Sequence, residues 1–126
     1  TWLLDRLTSM VGKRFVLVSG DCHLSGGAAL HFHGAPVGAS IVAPPFYAPL
    51  PYANEVPASI DQRPFMLNRR PLALRAVSGL DRGSGFGMLT LTPLAGGAGW
   101  KVQYERELLD MEQNDGWTAI RDEWTL

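Results

Sequence analysis

One cysteine, little charge and no long apolar run mark this chain first by what it lacks. Cys22 alone cannot form an intrachain disulfide or complete a cysteine-based zinc site, and it leans the reading towards a reducing, cytoplasmic compartment. No apolar stretch approaches the roughly 20 residues that a helical membrane span requires, so no such span is expected. Charged residues are 18% of the chain, below the usual share of about 25%. That deficit points either to a cavity lined by apolar side chains or to a surface covered by another chain. A net charge of -1 excludes general nucleic-acid affinity, which needs a basic field to displace counterions. The charge is uneven: Arg63, Arg69, Arg70, Arg75 and Arg82 stand against Asp81 alone, while the tail carries Glu105, Glu107, Asp110, Glu112, Asp115, Asp122 and Glu123. Solvated strand faces and loops account for this, with a local anion site near the arginines as the alternative.

The chain does have a cadence of short apolar or alternating runs, each cut by Gly, Pro or an Asn-Asp-Gly turn. Its 126 residues fit one domain, 1–126, with enough chain for a core. Its start at Thr1 rather than Met reads as trimmed or processed. Thr1 to Val11 has the helical spacing of Trp2, Leu3, Leu4, Leu7, Met10 and Val11, with Gly12 as a stop. So short a helix must dock its apolar stripe, centred on Leu7 and Met10. Strands are expected at 14–19, at Ala28 to His33, and at Ala39 to Ala43 after a Gly34–Gly38 turn. Pro44 to Pro57 holds five prolines interleaved with Phe46, Tyr47, Leu50 and Tyr52. Proline fixes φ and removes donors, so this segment is expected to be an extended crossing, either a lid or a docking loop.

The second half alternates more clearly. Phe65 to Arg69 and Leu72 to Ser78 are candidate strands around Pro71. Phe86 to Thr92 and Trp100 to Glu107 flank a Gly-rich turn as the most secure hairpin. Trp100, Val102 and Tyr104 share its dry face; Lys101, Gln103 and Glu105 share its wet face. Asn114-Asp115-Gly116 leads into a last strand around Trp117 to Trp124, and 105–113 reads as either strand or acidic helix. The fold class is therefore mainly β: a short N-terminal helix and about eight antiparallel strands, barrel-like and up-and-down or a strongly curved sheet. A two-sheet sandwich or an α+β roll would give nearly the same pattern. The four tryptophans are expected mostly in the core.

Chemistry is harder to place. His31-Phe32-His33 puts two imidazoles at strand spacing, able to share a metal ion with help from Asp21, Cys22 or His23. With Leu30 and Phe32 as the core side, both histidines would turn outward. The His-x-His of cupin metal barrels is followed after a few residues by Glu; none follows here, and that resemblance fails. Val11 to Phe15 after the short helix is similar to the entry of lipocalin barrels over a few residues, but the expected Trp is absent and no family is assigned. No Gly-x-Ser-x-Gly elbow accompanies Ser84 or Cys22, and Gly83 to Gly87 precedes a strand rather than a helix, so a bulged turn explains it better than a phosphate loop.

Three functional readings follow. The first is a β-barrel domain binding a small apolar molecule between Leu30, Phe32, Leu89, Leu91, Trp100 and Tyr104, with Pro44–Pro57 as lid and cavity-based catalysis as a variant. The second is a non-enzymatic interaction module or complex subunit, docking a protein partner or a second copy through the proline–aromatic segment, with Trp124 and Leu126. The third is a metal-dependent enzyme built on His31 and His33.

Overall fold

The computed structural model describes residues 2–9, 13–20, 24–46, 65–67, 69–76, 80–110 and 116–126. One short helix, α1 (Trp2–Thr8), precedes β1 (Phe15–Ser19), β2 (Gly26–Phe32), β3 (Ala35–Val42), β4 (Phe65–Leu67), β5 (Arg70–Ala76), β6 (Ser84–Pro93), β7 (Trp100–Asp110) and β8 (Gly116–Thr125). The mainly β class stands. Among the described residues the strands do not close into a barrel. They form a five-stranded sheet, β1-β3-β2-β5-β4, and a three-stranded meander, β6-β7-β8.

The five-stranded sheet is built on hairpins tighter than the sequence suggests. His33 and Gly34 both have positive φ, 57° and 79°, and alone connect Phe32 to Ala35. Two consecutive left-handed residues make a turn whose twist matches the flanking strands. The expected Gly34–Gly38 turn is therefore mostly strand, and β3 starts at Ala35. An offset where Leu30 faces Gly38 but His31 faces Pro36 absorbs one extra β3 residue as a bulge. β4 pairs antiparallel with β5, which starts at Arg70, so Pro71 lies inside β5. One pairing departs from the all-antiparallel expectation: β1 runs parallel to β3, Phe15 beside Gly38. The β2–β3 hairpin occupies one side of β3, leaving its other edge for β1. Gly38 permits this approach, since a Cβ there would sit 2.5 Å from the Phe15 carbonyl oxygen and 2.9 Å from its ring.

The meander follows its alternation. β6 and β7 pair from Ser84↔Leu109 to Pro93↔Trp100, and β7 and β8 from Lys101↔Thr125 to Asp110↔Gly116. Residues 105–110 are thus strand, not helix. Val102, Tyr104, Arg106 and Leu108 are buried on one face of β7. The two sheets meet through Ala39, Val102 and Leu126, with Val16, Leu89 and Trp124 packed around them. The Trp124 ring lies over Gly27, 3.4 Å from where a side chain would begin. Hydrogen bonds also link the two halves: the Tyr104 hydroxyl donates to the Val42 carbonyl at 2.9 Å, and the Gly85 N–H donates to the carbonyl of Pro45, just past β3, at 2.8 Å.

Several burial expectations change. Trp2, Trp100 and Trp117 are 77%, 44% and 58% exposed, so only Trp124 among the tryptophans contributes to the core. The helix ends at Thr8; Trp2 and Leu3 are exposed, Leu7 is half-buried, and Met10 lies outside the described residues. Most of the proline–aromatic segment, 47–57, is also outside them. Its described start has Pro44 and Pro45 buried and Phe46 90% exposed.

Candidate functional site

The inner face of β7 carries a residue that breaks its dry register. Arg106 is completely buried, opposite Gly87 on β6 and Ile120 on β8. Its Nη1 donates to Asp81 Oδ2 at 2.7 Å and its Nη2 to Asp122 Oδ2 at 2.6 Å. Asp81 is held in turn by reciprocal backbone bonds with Ser25 at 2.8 and 2.9 Å. One guanidinium therefore ties the five-stranded sheet's entry at Ser25 to both β7 and β8. A buried charge is tolerated only when it is paired and hydrogen-bonded in this way. The guanidinium carbon also lies 5.3 Å from the Tyr104 ring centroid, within cation–π range. Tyr104 in turn leans over Gly87, where any Cβ would meet its ring at 2.7 Å. Burial pushes the Tyr104 hydroxyl's pKa above its ordinary value, with Arg106 opposing and Asp122 reinforcing that rise.

Beside this network an open cleft of about 250 Å³ is lined by Leu80, Asp81, Arg82, Leu108, Thr118 and Ile120. None of the residues expected to form a ligand wall lines it. Leu30 and Tyr104 are buried, Phe32 and Leu89 half-buried, and Leu91 and Trp100 exposed at 45% and 44%.

The two histidines are also separated. His31 sits in β2 on the face of Gly27 and Ala29, the face that meets the meander, with Nδ1 buried and without a hydrogen-bond partner. His33 is an exposed turn residue whose ring contacts Phe32 edge-on at 5.7 Å. Asp21, Cys22 and His23 lie outside the described residues, among which no group of three or more potential metal ligands occurs.

The outer face of the meander divides in two. At one end Lys101 pairs with Glu123 at 2.8 Å, Gln103 donates to Glu123 at 3.0 Å, and Thr90, Thr92 and Thr125 complete a polar surface. Hydrogen bonding to Lys101 holds the exposed Glu123 carboxyl below its usual range. A central row follows, Met88, Glu105 and Arg121, with the last two 3.3 Å apart. Beyond that row Phe86 and Trp117 are 52% and 58% exposed, and Met88 on its border is 55% exposed. Phe86 and Trp117 stand on opposite edge strands, yet their rings meet at 6.1 Å, leaning across β7. The Pro45–Gly85 bond brings Phe46 beside the same edge. Sequence reading missed both features. Their signals were a charged residue, Arg106, on the dry parity of β7, and the apolar Phe86, Met88 and Trp117 on the parity of Glu105 and Glu107.

No described helix is long and apolar enough to cross a membrane. No family model matches this chain, and comparison with curated proteins and with solved structures gave no match.

Proposed function

We propose that this chain is a non-enzymatic interaction module or complex subunit, and that it docks a polypeptide through the aromatic corner of the meander. The observation that carries the reading is the cluster of Phe86, Met88 and Trp117, each more than half exposed at one end of one sheet face. Apolar side chains scattered singly need no explanation, but a cluster rimmed by polar groups marks a surface that another molecule covers. Aromatic and methionine residues are also the types enriched where proteins meet. The charge network beneath supports the reading by fixing the sheet, so that docking does not require ordering it.

A photoreactive amino acid at position 88, compared with one at 92 on the polar end, tests this in cells that make the protein. The reading expects a discrete protein adduct at 88 and little at 92. Equal labelling at both positions, or none at 88, would overturn it.

A second reading keeps a small-molecule ligand, now at the cleft. Leu80, Leu108 and Ile120 offer apolar walls and Asp81, Arg82 and Thr118 polar anchors. Native mass spectrometry of gently purified protein would show a bound molecule that Thr118→Trp displaces. Identical spectra from the two proteins would end this reading.

A further inference from the structure

We infer that the docking corner recognises an arginine side chain presented by the partner polypeptide, with Glu107 as the residue that selects it; the inference rests on the docking reading above. On the meander's outer face Lys101 is matched by Glu123 and Arg121 by Glu105, at 2.8 and 3.3 Å. Glu107 remains as an exposed carboxylate with no cationic partner among the described residues. Its cross-strand neighbours are Phe86 on β6 and Ala119 on β8. The Phe86 and Trp117 rings converge over β7 alongside it, at 6.1 Å between centroids and 52° between planes. Ala119, by contrast, is small and exposed, so β8 sets no large side chain directly opposite the carboxylate.

A carboxylate with an aromatic wall on one side and no large side chain on the other fits a planar cation. Guanidinium can donate to the carboxylate in bidentate fashion while its face stacks on a ring, and it sheds water more readily than ammonium does. A carboxylate partner would meet repulsion here. A purely apolar segment would leave Glu107 less hydrated without compensation.

Two synthetic peptides test the assignment, Ac-Gly-Leu-Arg-Leu-Gly-NH2 and the same sequence with citrulline, which keeps the shape and removes the charge. Each is titrated into isotope-labelled protein while the Trp117 indole and Ala119 amide signals are followed. The arginine peptide should bind roughly fivefold more tightly than the citrulline peptide, in line with one exposed ion pair and one cation–π contact. Glu107→Gln should reduce arginine-peptide binding to the citrulline level and leave citrulline binding unchanged. Added salt should narrow the wild-type difference. Equal binding of both peptides would overturn the arginine assignment and leave the docking corner standing. No response at Trp117 to either peptide would count against both.

Discussion

The five-stranded sheet and the meander bury their central strands in different ways. β2 is covered on both faces at its middle: Ala28 and Leu30 are 4% and 3% exposed, while Gly27 and Ala29 on the other side face Trp124 and the inter-sheet core. It manages this with small residues. β7 is covered on one face only, and it fills that face with large groups, including Tyr104 and the whole Arg106 side chain. Small residues let one sheet be approached closely, whereas the other needs ion pairs and a phenol to complete its contact. The meander thereby leaves its outer face exposed among the described residues.

The sharpest way to break that contrast is to remove the charge at its centre. Arg106→Met should take the guanidinium away from buried Asp122 and cost about 3–5 kcal/mol, read as a lower denaturant midpoint. A loss below about 1 kcal/mol would mean that water reaches the network in solution.

Gly38→Ala attacks the other sheet. Its Cβ would collide with the Phe15 carbonyl oxygen at 2.5 Å, so β1 should separate from β3 at a cost of about 1–3 kcal/mol. Hydrogen exchange would then show protection lost in β1 and retained in β7. Loss in both strands alike would show that the two sheets open as one unit.

Tyr104→Phe sharpens the link between sheets. It deletes the bond to the Val42 carbonyl and should cost about 1 kcal/mol. Because burial raises the Tyr104 pKa, its contribution is complete below the ordinary value of 10.0 and declines as pH climbs through the raised one. The wild type should therefore lose stability more steeply than the variant in that alkaline range.

Glu123→Gln is the smallest test. The Glu123 pKa is lowered from 4.5, so what this carboxylate adds is present above that value and disappears as pH falls through the lowered one. The variant should show a slightly flatter acid limb, an effect that moderate salt erases.

The same contrast explains what was legible in the sequence. In β7 a single wet face enforces alternation, so Val102 and Tyr104 could be assigned to the interior from spacing alone. In β2 both faces are covered, and period two carries no information about which side is the core. Leu30 is inside as its spacing predicts, whereas His31 turns towards the meander and not outward. Turn chemistry was partly concealed as well, because His33 occupies a left-handed position more often signalled by Asn or Gly. The parallel β1–β3 pair left no local mark, since the direction of β1 depends on the edge that the later β2–β3 hairpin leaves open, not on residues within β1. As for the candidate surface, a Phe, a Met and a Trp on separate strands converge only through register. That convergence is visible once β6, β7 and β8 are aligned side by side.

The central claim, that the aromatic corner serves docking rather than folding, is best tested with Phe86→Ser combined with Trp117→Ser. The account predicts an unfolding midpoint close to wild type together with loss of the adduct formed from position 88. A collapse of stability with the adduct retained in whatever protein stays folded would contradict it.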